Sequence, residues 1–114
     1  MTDIYIGTGW SRTLIGCCGN GEIYEGTGWG KKLVGTYRDG EIYSGYGLGK
    51  TYLGCYKNGD IYEGSGWGKS CIGEYKNGDI YEGSGWGKTC IGESKGDEPG
   101  AAAAALLLIL KNNR

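Results

Sequence analysis

A 19-residue repeat dominates this chain and constrains its fold. Five copies begin with Ile-Tyr, at residues 4, 23, 42, 61 and 80. The clearest copy, from Ile61 to Asp79, reads IYEGSGWGKSCIGEYKNGD. A strict short period predicts one small supersecondary unit packed on copies of itself. We therefore assign residues 1–98 to five repeats (4–22, 23–41, 42–60, 61–79 and 80–98) and residues 99–114 to a C-terminal segment of the same single domain.

Each copy carries the pattern of a β-hairpin. Asn-Gly or Asp-Gly recurs at 20–21, 39–40, 58–59 and 77–78, between β-favouring residues. This dipeptide supplies the positive φ angles of a type I′ turn, which would place Lys76 opposite Asp79. The other connection, G-x-G-W-G-K, has three glycines in five residues and predicts a wider loop. The repeats therefore predict an antiparallel meander of ten strands.

Strict alternation along the strands sorts the side chains into two faces. One face collects Tyr5, Tyr24, Tyr43, Tyr62 and Tyr81, the glycines at the fourth repeat position, and Ile15, Val34, Leu53, Ile72 and Ile91. The other face takes the isoleucines at the first repeat position together with Tyr37, Tyr56 and Tyr75. The first face is the more uniform, so we expect it to be the interior, although a one-residue bulge would exchange the two.

The C-terminal segment predicts a buried helix. Asp97 reads as its N-cap, Pro99 falls in its first turn, and basic residues follow its end. Residues 101–110 read AAAAALLLIL, which is apolar on every side. Ten residues of helix span about 15 Å, or about half of a bilayer core, so no transmembrane segment is expected.

The two ends of the repeat region favour closure of the sheet. The chain starts with a first-half strand and leaves the repeats after a second-half strand, so each lacks its hairpin partner. Pairing them would set Asp3 opposite Lys95 and remove both exposed edges. The expected fold is all-β, with five hairpin repeats closed into a barrel around the helix and the fourth-position glycines making room for it. An open single-layer meander and a β-solenoid with a helical cap are the alternatives.

Composition narrows the function. The net charge of −1 gives no basic surplus for nucleic acid, and the chain has no histidine to act as general base or metal ligand. The cysteines lack C-x-x-C spacing, so neither a metal nor a cofactor is expected. Glu25, Glu63 and Glu82 recur at one repeat position and offer no asymmetric acid–base pair, so we expect no enzyme activity. The first repeat begins at Ile4, which leaves no room for a signal peptide and indicates a cytoplasmic protein.

The glycine loops contain the candidate site. If all five loops lie at one end of the sheet, their indoles and cations form a ring that could stack on sugars or on aromatic or anionic ligands. In the alternative arrangement, each Trp covers its own loop and the cation is solvated. The candidate ligand-binding residues are Trp10, Trp29, Trp67 and Trp86, with Leu48 in the third copy, and the cations Arg12, Lys31, Lys50, Lys69 and Lys88.

The segment from Gly73 to Gly83, G-x-Y-x-N-G-x-x-Y-E-G, resembles the consensus of MORN repeats, and the likeness recurs through most of residues 4–98. The repeats are also similar to short glycine–tryptophan hairpin repeats of uncharacterised bacterial proteins. The MORN resemblance implies a scaffolding role or the binding of lipids or proteins.

Two functions follow as expectations. The first is a non-enzymatic structural or protein-interaction module that presents repeated faces to a partner or to a second copy of itself. The second is a multivalent module that binds a glycan or another polymer through the G-x-G-W-G-K loops. The expected partner is therefore a protein or a carbohydrate.

Overall fold

The computed structural model describes residues 1–113 as ten β-strands followed by one α-helix. The long strands each carry the second half of a repeat, and the short strands carry the first half. The strands are β1 (Thr2–Ile6), β2 (Thr13–Gly19), β3 (Glu22–Glu25), β4 (Lys32–Arg38), β5 (Glu41–Ser44), β6 (Thr51–Lys57), β7 (Asp60–Glu63), β8 (Ser70–Lys76), β9 (Asp79–Glu82) and β10 (Thr89–Lys95). The helix α1 spans Pro99–Leu108 and is followed by a 3₁₀ turn at Leu110–Asn113.

The ten strands form a closed antiparallel barrel in which every strand pairs with its sequence neighbours. Closure comes from β1 and β10, which pair with Asp3 opposite Lys95. The predicted ten-stranded barrel is thus confirmed, and the open meander and the solenoid are excluded. Because the sheet closes on itself, no strand exposes an unpaired edge.

The tight turns follow the sequence closely. Asn20, Asp39, Asn58 and Asn77 have φ between 52° and 54°, and the glycine after each is also in the positive region. These are the angles of a type I′ turn. The predicted register holds, with Lys76 opposite Asp79.

The assignment of the two faces was wrong for the second-position tyrosines, which lie outside, and for the first-position isoleucines, which lie inside. It was also wrong for Tyr37, Tyr56 and Tyr75, which pack in or against the core. Between β1 and β2, Ile4 pairs with Gly16 whereas Tyr5 pairs with Leu14, so Ile15 is an extra, bulged residue. The same register shift recurs in the four equivalent strand pairs. The bulge turns the first-position isoleucines inward, where all five are 0% exposed, and leaves the second-position tyrosines on the outer wall. The aliphatic bulge residues still pack against the core, as expected.

The interior of the barrel is filled by α1, whose residues from Gly100 to Leu108 are all buried. Its N-cap is Glu98 and not Asp97 as predicted. The glycines that admit the helix are those of the thirteenth repeat position, because a Cβ on Gly73 would lie 2.4 Å from Leu107 Cδ1. The fourth-position glycines, which we expected in that role, instead turn the chain out of the strands, as at Gly26 with φ +94°.

The helix runs from the tight-turn end of the barrel to the glycine-loop end. At its start, the Glu98 amide donates to Thr2 Oγ1 at 3.0 Å, and the Tyr37 hydroxyl donates to the Glu98 carboxylate at 2.5 Å. Beyond its end, Lys111 forms an ion pair with Glu82 of β9. Within residues 1–113, no helix combines the length and the apolar character needed to cross a membrane.

Candidate functional site at the loop rim

All five glycine loops lie at one end of the barrel, because each joins an odd-numbered strand to the next strand along the chain. We call this end the loop rim. Each loop contains one short turn of 3₁₀-helix, and we name these turns tip loops 1 to 5: Gly9–Ser11, Gly28–Gly30, Gly47–Gly49, Gly66–Gly68 and Gly85–Gly87.

Glycine is required at two points of each connection: two residues before the tip loop and at the first residue of the tip loop. In the second copy, Gly26 and Gly28 have φ of +94° and +59°, where other L-residues are strained. The Gly26 amide donates to the Ile15 carbonyl at 2.8 Å and fixes the base of the loop to the bulge of β2. The loop is therefore a defined turn with its middle residue at the tip.

That middle residue projects fully into solvent. Trp10 is 105% exposed, Trp29, Trp67 and Trp86 are each 106% exposed, and Leu48 is 108% exposed. The indoles do not cover the glycines of their own loops, because such packing would have removed part of this exposure. The rim thus presents five large apolar side chains, one per repeat.

The five cations are not at the tips, because they fold back over tyrosine rings of the outer wall. The distance from the charged group to the ring centroid is 4.4 Å for Lys50 over Tyr43, and it is similar in the other copies. This contact is a cation–π interaction, which orders an otherwise mobile side chain. The equivalent distances are 4.7 Å for Arg12 over Tyr5, 4.8 Å for Lys31 over Tyr24, 4.7 Å for Lys69 over Tyr62 and 4.8 Å for Lys88 over Tyr81.

The sequence therefore identified the cations but missed the tyrosines that hold them. We had assigned those tyrosines to the interior because strict alternation ignores the bulge. The basic residue and the tyrosine lie seven positions apart in every copy, but this constant spacing follows from the repeat itself and does not indicate a contact.

Two of the cations also bind a carboxylate on the neighbouring strand. Lys88 Nζ lies 2.8 Å from Glu74 Oε1, and the Gly85 amide donates to Glu74 Oε2 at 3.2 Å. The hydrogen bond from Lys88 holds the pKa of Glu74 below its usual value, and the Gly85 amide adds to the effect. In the same way, Arg12 lies 2.5 Å from Glu93 and lowers the pKa of that carboxyl.

Two cavities open beside tip loop 2. One, of about 190 Å³, has Cys17, Gly28 and Lys31 among its lining residues. The other, of about 220 Å³, lies where the C-terminal turn leaves the barrel and is lined by Leu110 and Glu25.

The acidic and cysteine residues considered above stay apart. Glu25, Glu63 and Glu82 lie on three different short strands, and Glu82 is engaged by Lys111. Residues 1–113 contain no group of three or more Cys, Asp or Glu side chains arranged to hold a metal ion. Burial raises the pKa of the Cys18 thiol to about 12, whereas Cys71 is exposed.

The chain is thus a ten-stranded barrel of hairpin repeats with an apolar rim. Comparison with protein-family models, with curated proteins and with solved structures found no match to it. The resemblance to MORN repeats and to glycine–tryptophan hairpin repeats stays a prediction.

Proposed function

We propose that this protein is a non-enzymatic interaction module that binds a partner protein through its loop rim. The observation that carries the proposal is the full exposure of all five tip side chains, four of them tryptophan, at one end of the barrel. Aromatic side chains supply much of the binding energy at protein interfaces, so fully exposed indoles at one end of the barrel are candidate anchors for a partner.

The scaffold supports this role because it holds the tips in place. Each tip loop joins two strands of a closed sheet, and the fourth-position glycine that precedes the loop donates its amide to the carbonyl of a bulge residue. A pre-formed loop loses little conformational freedom on binding, which favours affinity. Five equivalent tips on one rigid body also allow several weak contacts to act together.

The cations support a protein partner as well. They lie on the outer wall against the tyrosines and leave the tips apolar. Protein interfaces combine apolar anchors with charged and polar groups around them, and the tips and the cations below them supply both kinds of group.

A glycan is the second candidate, because each indole is open on both faces and could stack on a sugar ring. Leu48 favours a protein partner over a glycan. It stands at the tip of the third copy and is as exposed as the tryptophans, so it keeps the apolar contact. Leu48 has no aromatic ring to stack on a sugar, so the third repeat would not contribute to a glycan-binding site.

A tip-free variant tests the proposal. Trp10, Trp29, Trp67 and Trp86 together with Leu48 are changed to Ser, which should leave the fold intact because these side chains are solvated. Proteins captured by the wild type and not by the variant are purified and measured for direct binding. We expect a binding partner whose affinity falls at least about tenfold in the Trp67→Ala/Trp86→Ala double variant.

The wild type and the tip-free variant are also compared on a glycan array and by light scattering. Tip-dependent glycan binding would replace the protein partner by a carbohydrate. A wild-type oligomer that becomes monomeric in the variant would identify a second copy of the chain as the partner. If the wild type and the tip-free variant behave identically in all three measurements, the proposed function is wrong.

A further inference from the structure

We propose that tip loops 2, 3 and 4 each form a niche that binds a carboxylate from an acidic peptide segment of the partner. The inference rests on the proposed function and specifies the chemistry of the partner. It starts from the two repeats in which the chain supplies the carboxylate itself.

Glu74 and Glu93 show how the niche works. Both occupy the fourteenth repeat position, which points outward, and the tip loop of the following repeat leans over them. Glu74 accepts hydrogen bonds from the Lys88 ammonium and the Gly85 amide of tip loop 5. Glu93 accepts one from Arg12, which follows tip loop 1 across the barrel closure. A carboxylate niche thus consists of the basic residue after a tip loop and the first glycine amide of that loop.

The other three repeats place short side chains at the same position. Cys17, Thr36 and Cys55 stand where Glu74 and Glu93 stand, and none of them carries a carboxylate. Among residues 1–113, no carboxylate lies within 4.0 Å of the ammonium groups that face them. Those ammonium groups belong to Lys31, Lys50 and Lys69.

The donors of the three loops are nevertheless in the same places. The basic residue after each of the five tip loops has φ between −69° and −73° and ψ between 145° and 150°. Its charged group lies 4.4 to 4.8 Å from a tyrosine centroid in every copy. The tyrosine, and not the carboxylate, therefore fixes the cation, and the niche is pre-formed in loops 2 to 4.

A further observation indicates that the first of these niches admits a ligand. The cavity of about 190 Å³ beside Cys17 is lined by Lys31 and Gly28, the two donors of tip loop 2. Open space therefore lies next to both donors, where the side chain of Cys17 is too short to fill it.

The charges around the niche favour a ligand group that carries a single negative charge. An acidic residue pairs across the strands with the fourteenth position in every repeat: Asp3, Glu22 and Glu41 beside the three open niches, and Asp60 and Asp79 beside the two that Glu74 and Glu93 fill. These acids tolerate a glutamate, as Glu74 and Glu93 demonstrate. They disfavour a doubly charged group such as phosphate, because like charges repel.

A peptide fits this site better than another source of carboxylate. The group already held in two niches is a glutamate side chain, and the three open niches lie beside the exposed tips Trp29, Leu48 and Trp67. A segment that alternates acidic and apolar residues would contact both sets. Each ion pair alone is weak at a solvated surface, and three on one ligand act together.

The test is a titration of the ¹⁵N-labelled full chain, followed by the amide signals of the tip-loop glycines. The probe is glutamate capped as an N-acetyl N-methylamide, and capped glutamine is the matched neutral control. We expect saturable shifts at Gly28, Gly47 and Gly66 with a dissociation constant on the order of tens of millimolar, as charge-assisted hydrogen bonds at a solvated surface allow. We expect no such shift at Gly9 and Gly85, where Glu93 and Glu74 are already in place.

Two pairs of variants assign the site. Cys55→Glu should abolish the response of Gly66, and Cys55→Gln should keep it. Glu74→Ser should give Gly85 a new response, whereas Glu63→Ser, at a different repeat position, should not.

The proposal is overturned if the three glycines do not shift saturably, if capped glutamine shifts them equally, or if Gly9 and Gly85 respond as strongly. Glucuronate is titrated in parallel, and tighter binding than capped glutamate would overturn the assignment to a peptide. The capped residue is too small to need the tryptophans, so this result is independent of the tip-free variant. Failure of the titration therefore leaves the proposed function to its own test, whereas failure of the proposed function would remove the partner that this inference names.

Discussion

At the scale of single residues, the glycines of the thirteenth repeat position decide whether the helix fits. A Cβ on Gly92 would lie 2.4 Å from the Tyr5 carbonyl oxygen and 2.8 Å from Leu106 Cδ2. Neither the sheet nor the helix can give way without losing other contacts. We expect Gly92→Ala to lower the free energy of unfolding by about 2–3 kcal/mol, measured by urea denaturation.

Gly87 provides the matched control, because an added Cβ there meets nothing within 4 Å. Gly87→Ala should change the stability by less than about 0.5 kcal/mol. Equal effects of the two substitutions would mean that the thirteenth position is not in close contact with α1.

The cysteines differ in reactivity because they differ in burial. Cys18 is 0% exposed, and burial raises its pKa to about 12, so almost no thiolate forms near neutral pH. Cys71 lies exposed on the outer wall. With a thiol-labelling disulfide reagent at about pH 8, we expect Cys71 to react rapidly and Cys18 to react only after unfolding, as located by mass spectrometry. Rapid labelling of Cys18 in the folded chain would contradict its place in the core.

At the scale of elements, the contact between α1 and the barrel makes the fold sensitive to alkali. Gly100 of α1 lies against the Tyr56 ring, since a Cβ there would lie 2.6 Å from Tyr56 Cδ2. Burial raises the pKa of Tyr56 from 10.0 to about 12, so the folded state favours the neutral phenol. Stability should be unaffected below the unfolded pKa and should fall as pH rises between about 10 and about 12, because only the unfolded chain then loses the proton readily.

Urea midpoints measured across that pH range test this expectation. Tyr56→Phe should make the decline shallower, since one of the groups that lose a proton more readily in the unfolded chain is gone. Tyr46→Phe, in an exposed loop, serves as the control and should keep the wild-type slope. A Tyr56→Phe variant with an unchanged slope would show that another group causes the alkaline loss.

The elements also show what the sequence could and could not predict. The type I′ turns were predictable because Asn-Gly and Asp-Gly specify their geometry locally. The bulge at Ile15 and its equivalents was not, because a two-residue period gives no sign of an inserted residue until both strands are paired. That one residue places the second-position tyrosines on the outer wall, so the sequence could not predict the cation–π contacts of the candidate site either. The exposure of the tryptophans likewise depends on how the loop folds, which the glycines permit but do not dictate.

At the scale of the whole molecule, the number of repeats is matched to the helix. An α-helix with its side chains is about 10–12 Å wide, and a barrel widens with each added strand. Alanines and thirteenth-position glycines bring the helix and the wall together, and ten strands enclose it completely. The closing pair β1–β10 repeats the register of an ordinary hairpin, with Asp3 opposite Lys95. Closure was predictable for this reason: the two half-repeats complete each other.

Removing one repeat tests this match. Deletion of residues 42–60 joins repeats 2 and 4 in phase and leaves eight strands, which still could close. An eight-stranded barrel is filled by its own side chains, so we expect α1 to be expelled. We expect protease cleavage between residues 99 and 110 in limited proteolysis and loss of cooperative unfolding in circular dichroism. We also expect association through the exposed leucines in size-exclusion chromatography.

The control variant replaces residues 42–60 by a second copy of residues 61–79, which changes the sequence and keeps ten strands. That variant should unfold cooperatively and protect the helix from the protease. If α1 is also protected from the protease in the eight-stranded variant, a smaller barrel can hold the helix. The match between repeat number and helix would then not be what stabilises the barrel.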